Sequence, residues 1–73
     1  MTENRIYIER LAAEMRSARK SNWHHNDIQD LCELAGLYEE WFNASDRAQE
    51  ENLAIKAAKM LGVEICYIKN ELK

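Results

Sequence analysis

Apolar side chains recur through residues 4–20 at intervals of three and four: Ile8, Leu11, Ala12, Met15 and Ala18, with Tyr7 one turn ahead of Leu11. Those intervals line one side of an α-helix, so the stretch predicts a first helix with a single core face. Its other side, Arg5, Glu9, Arg16 and Lys20, is a charged solvent surface. The next periodic run, Ile28, Leu31, Cys32, Ala35, Tyr38 and Phe42, predicts a helix over residues 27–43. Leu34, Leu37 and Trp41 widen its apolar part to nearly two faces. Such a helix is either contacted by all the others or has its second face covered by another chain. Gly36 falls inside the span, where it costs about 1 kcal/mol relative to alanine and marks a close helix crossing or a local break. A third helix turns Ala48, Leu53, Ala54, Ala57, Ala58, Met60 and Leu61 inward and stops at Gly62. Residues 64–73 predict a short C-terminal helix; Ile65, Tyr67 and Ile68 would also suit a strand, but a lone strand has no partner. The expected fold is all-α: one domain over residues 1–73, a small bundle of three main helices plus a short C-terminal helix.

The connectors carry turn and cap chemistry. In residues 20–26, KSNWHHN, Asn26 suits a cap for the second helix, with Gln29 three places on as the reciprocal group and Asp27 favourable in the first turn. In residues 43–46, NASD, Asp46 and Gln49 form another potential capping box, with Ser45 as the rival cap. Gly62 follows the third helix where a left-handed residue commonly ends one, and Val63 is placed to touch back near Ala57 or Ala58.

The run KAAKMLGV, followed by Ile68 and Leu72, has paired alanines, hydrophobic residues on both sides of a glycine, and apolar residues six and ten places beyond Gly62. It resembles the C-terminal helix-turn-helix of the factor-for-inversion-stimulation family, also found in enhancer-binding activators, over about a third of the chain. Small Ala58 admits a second helix closely while Val63, Ile68 and Leu72 pin it. The resemblance implies a helix-turn-helix over residues 46–73 whose last helix enters the major groove, with Lys69, Asn70 and Lys73 as DNA contacts. The remaining exposed places of that helix hold Glu64, Ile65, Cys66 and Tyr67.

Charge shifts the balance between functions. The net charge is −3, and residues 21–51 carry one basic and eight acidic side chains between two mildly positive ends. An acidic middle repels a duplex unless it points away. A chain of 73 residues buries only about 60 % of its unfolded surface. Two glycines, no proline and 47 % hydrophobic residues suit a folded helical protein. No apolar run is long enough to cross a bilayer and no leader pattern opens the chain, so a cytoplasmic location is expected. Cys32 and Cys66 lack disulfide-framework or zinc spacing, and adjacent His24 and His25 diverge on regular backbone without an HExxH-type pattern. No metal, cofactor or catalytic constellation is predicted, and the chain is not expected to be an enzyme.

Two function classes follow. The first is a small non-catalytic adaptor, inhibitor or regulator acting through protein contacts, with Leu34, Leu37, Tyr38 and Trp41 as anchors, Trp23 as a lid over one end of the core or, if exposed, a further anchor, and Glu39 and Glu40 biasing recognition toward a basic surface. A homodimer through Leu34, Leu37 and Trp41 is expected, since one short chain offers little to cover both sides of the second helix. The alternative is a DNA-binding transcriptional regulator using Lys69, Asn70 and Lys73. Composition and charge favour the first.

Overall fold

The computed structural model describes residues 2–67, with side chains from residue 5 onward. Four α-helices follow one another: α1 (Thr2–Arg16), α2 (His25–Leu34), α3 (Tyr38–Phe42) and α4 (Arg47–Leu61), with a turn of 3-10 helix at Lys20–Asn22. The all-α bundle of three substantial helices and a short one is as the apolar periodicity predicts. The short helix, however, is α3. The span expected as one helix over residues 27–43 is cut at Gly36, the local break that its glycine allowed. Among the described residues, 63–67 form no helix. The rest of the expected C-terminal helix, residues 68–73, lies outside the described residues.

One device ends both α2 and α4. Gly36 has φ +79° and Gly62 φ +74°, the left-handed region that glycine enters without a Cβ clash. At the first, the Leu37 N–H donates to the Cys32 carbonyl at 2.7 Å and the Gly36 N–H to the Glu33 carbonyl at 3.1 Å. At the second, the Val63 N–H donates to the Ala58 carbonyl at 2.9 Å and the Gly62 N–H to the Lys59 carbonyl at 3.2 Å. These paired bonds form a Schellman motif, which usually brings the residue after the glycine back against the helix. Leu37 is accordingly 6 % exposed, and Val63 packs on the core.

Helix α2 is the hub, contacting α1, α3 and α4, with its largest interface on α4. Buried Ala54, Ala57 and Ala58 make that approach close. Around Ile28, Leu31 and Cys32 of α2 the core gathers Leu11, Ala12 and Met15 from α1, together with Trp23, Leu37 and Ile65. The broad apolar surface of the second predicted helix is thus partly explained by centrality. Met60 and Ala48, expected inward, are exposed. Both stand off the 54–57–58–61 stripe, which follows the helical repeat. Ile65, expected on an exposed reading surface, is 2 % exposed because the chain after Gly62 turns back under the bundle instead of continuing as a helix.

The caps divide. Asp46 caps α4, accepting from the Gln49 N–H at 2.9 Å, while Gln49 Oε1 accepts from the Ser45 N–H at 2.9 Å. The reciprocal bond therefore falls one residue earlier than in a standard box. The Asn26–Gln29 box does not form: α2 begins at His25 behind His24, without a side-chain cap. Trp23 supplies the reason. Its ring is 4 % exposed and its indole N–H donates to the Met15 carbonyl at 2.8 Å. That anchor holds Trp23 and His24 extended and lets helix start at the next residue.

Arginines join elements that the helix contacts leave apart. Arg5 donates to the Leu61 carbonyl at 2.7 Å and Arg16 to the Glu64 carbonyl at 2.8 Å, so α1 satisfies acceptors at and beyond the end of α4. Arg47 donates to the Trp23 carbonyl at 2.7 Å and the Lys20 carbonyl at 3.3 Å while pairing with Glu51 at 2.9 Å. Expected as plain solvent charges, Arg5 and Arg16 are also tertiary clamps. No helix among the described residues is long and apolar enough to cross a membrane.

Candidate protein-contact face

Helix α3 is positioned by the Gly36 turn. With Leu37 drawn into the core and its carbonyl accepting the Trp41 N–H at 2.9 Å, the five-residue helix has only one side available for burial. Trp41, four places after Leu37, takes that side and is half-buried. Tyr38 and Phe42 are left outward at 40 % and 68 % exposure, beside exposed Glu39 and Glu40. Phe42, which the periodicity assigns to the buried stripe, is the most exposed of the large apolar side chains described. Losing continuity at Gly36 rotates it off that stripe.

The aromatic rings form a row. His25 lies 5.1 Å from Trp41, Trp41 5.7 Å from Tyr38, and Tyr38 6.1 Å from Phe42, centroid to centroid. These separations fall in the range of favourable ring contacts. The Trp41 indole N–H is buried without an acceptor among the described residues, which costs about 1–3 kcal/mol for a group of this kind. Beside the row, Glu39, Glu40, Asn43 and Ala44 face Gln49, Asn52 and Leu53 of α4 across an open depression of about 520 Å³. Its walls are acids and amides, and Ala44 and Leu53 supply its apolar part.

The face keeps its negative charge because Arg47, the one cation of residues 21–51, is turned to Glu51 and the connector carbonyls. Among the described residues no ion pair reaches Glu39 or Glu40. Glu50 lies 3.7 Å from His25 Nδ1, near the inner end of the aromatic row.

Of the expected contact residues, Tyr38, Glu39, Glu40 and Trp41 are brought together. Leu34 is half-buried against the core, and Trp23 and Leu37 are enclosed by the chain's own helices. Lys69, Asn70 and Lys73 lie outside the described residues. Sequence reasoning missed the parts of Phe42 and His25 in the aromatic row and the clamp made by Arg47. A readable signal existed for the last, since Glu51 follows Arg47 at the helical interval of four.

Other reactive groups are spread apart. The Cys32 thiol is pushed up to about 11, first by burial and then by Glu50 and Glu40. Cys66 is exposed, and a hydrogen bond with Glu64, ahead of burial, raises its thiol above the usual range. Neither is an activated thiolate. Burial, followed by Glu14, raises Asp27, and the Asp30 carboxylate that accepts from the Tyr7 hydroxyl at 2.9 Å raises Tyr7. No group of three or more His, Cys, Asp or Glu side chains suited to a metal occurs among the described residues. The Arg19 guanidinium lies 5.0 Å from the centre of the Tyr67 ring.

No protein-family model, curated protein or solved structure matches the chain.

Proposed function

We propose that the protein is a small cytoplasmic, non-catalytic adaptor, inhibitor or regulator that binds another protein through α3. The observation that carries this is the row of exposed Tyr38 and Phe42 on half-buried Trp41, beside Glu39 and Glu40 that no ion pair reaches among the described residues. Exposed aromatics set against a rigid bundle are the residue types that dominate binding energy at protein interfaces. Enclosure of Leu37 in the core removes one of the three side chains expected at a homodimer contact, which weighs toward a different partner. A DNA-binding role rests on Lys69, Asn70 and Lys73 and becomes the rival outcome of the test.

A photo-crosslinking amino acid at position 42 is expected to capture one defined protein species in cells, and the same group at exposed position 13 is expected not to. The captured protein, once purified, should bind the wild-type chain and lose most of its affinity for a Tyr38→Ala, Phe42→Ala double variant. Equal capture from both positions, or salt-resistant binding to duplex DNA with no protein partner, defeats the proposal.

A further inference from the structure

We infer that the α3 face receives a cationic amphipathic helix of the partner protein, whose lysine or arginine side chains answer Glu39 and Glu40 while its apolar side meets Tyr38 and Phe42. The inference rests on the face being a protein-contact surface and adds the chemistry of its occupant. Three features converge on a cation. Glu39 and Glu40 stand exposed on a single turn of helix, and exposed Tyr38 on the same turn offers a ring face whose negative quadrupole attracts ammonium or guanidinium groups. Among the described residues no ion pair answers those carboxylates, and Arg47 is held by Glu51 and by the Trp23 and Lys20 carbonyls. The depression between α3 and α4 also continues the acidic wall toward Gln49 and Asn52, with Leu53 available to the apolar side of an incoming helix. Exposed Phe42 on the same helix adds a large apolar contact.

The same charge pattern argues against other occupants. In an isologous contact the same patch meets itself, so Glu39 and Glu40 of one copy would stand near those of the other. Like charges brought together this way disfavour the contact. Phosphate-bearing surfaces are repelled for the same reason.

The probes are a designed amphipathic helix with leucine on one side and lysine on the other, and its counterpart with every lysine replaced by glutamate. Binding to the full chain is followed by tryptophan emission and by calorimetry near physiological salt. The lysine peptide should bind and the glutamate peptide should not. A Glu39→Lys, Glu40→Lys double variant that retains its helical circular dichroism should weaken the lysine peptide by about tenfold or more and admit the glutamate peptide. Phe42→Ala should weaken the lysine peptide while leaving the preference for lysine over glutamate intact.

Equal binding of both peptides to wild type overturns the charge inference but leaves an apolar protein-contact face. Absence of binding by either peptide also overturns it, and crosslinking from position 42 then judges the broader proposal separately. Self-association of the chain alone that Phe42→Ala abolishes would replace the cationic helix with a second copy.

Discussion

Arg47→Met keeps most of the length of the side chain and removes its guanidinium, which ties α4 to the connector between α1 and α2. The Trp23 carbonyl loses a charged donor at 2.7 Å, an interaction worth about 1.5–3 kcal/mol. The longer contact to the Lys20 carbonyl, at 3.3 Å, adds little. The Glu51 pair, a helical i,i+4 contact with Arg47 partly in solvent, contributes about 0.3–0.5 kcal/mol. The sum is about 2–3.5 kcal/mol. A domain of 73 residues has a total stability of about 4–11 kcal/mol, so the loss is a large fraction of the margin. It corresponds to a fall in melting temperature of roughly 10–20 °C, measured by far-ultraviolet circular dichroism. Arg47→Lys, which retains charge without the planar fork, should fall between wild type and Arg47→Met. Melting of Arg47→Met within about 2 °C of wild type would refute the clamp and, with it, the explanation of why Arg47 does not pair with Glu39 or Glu40.

Gly36→Ala and Gly62→Ala should each destabilise by about 1 kcal/mol in denaturant titration. A Cβ at either position meets nothing within 4 Å, so the cost is backbone conformation alone and should be similar at the two sites. In the native protein a thiol reagent should modify exposed Cys66 and reach buried Cys32 only on unfolding; two fast-reacting thiols would contradict the packed α2–α4 interface. Because folding raises the Asp27 carboxyl above its ordinary 3.8, the folded state binds the proton more tightly than the unfolded one. Stability from this group is therefore present at low pH and is lost as pH rises through the folded value. Asp27→Asn should flatten that part of the stability profile, and an unchanged profile would remove burial and Glu14 as its cause.

The helical class was legible because α1 and α4 keep one apolar stripe over several turns, and Gly62 was legible because it closes such a stripe. Gly36 was ambiguous for a physical reason: the run on either side stays in helical phase, so periodicity alone does not distinguish a tolerated glycine from a left-handed stop. That ambiguity concealed the site. With an unbroken helix, Phe42 belongs to the core; with a stop at Gly36 and Leu37 turned inward, it becomes the outer member of the aromatic row. The charge segregation was readable in advance, but the commitment of Arg47 was not, since its partners include backbone carbonyls more than twenty residues away. The missing Asn26 cap shows the same limit, because burial of Trp23 fixes where α2 starts.

Backbone amide shifts of the isotope-labelled full chain, recorded while the protein captured from position 42 is titrated in, locate the contact most directly. The largest changes should fall on residues 38–44 and 49–53, with His25 following through its contact with Trp41. Changes centred instead on residues 16–20 and 62–73, reproduced by duplex DNA and erased by salt, would contradict a protein-binding α3 face and place function at the C-terminal end.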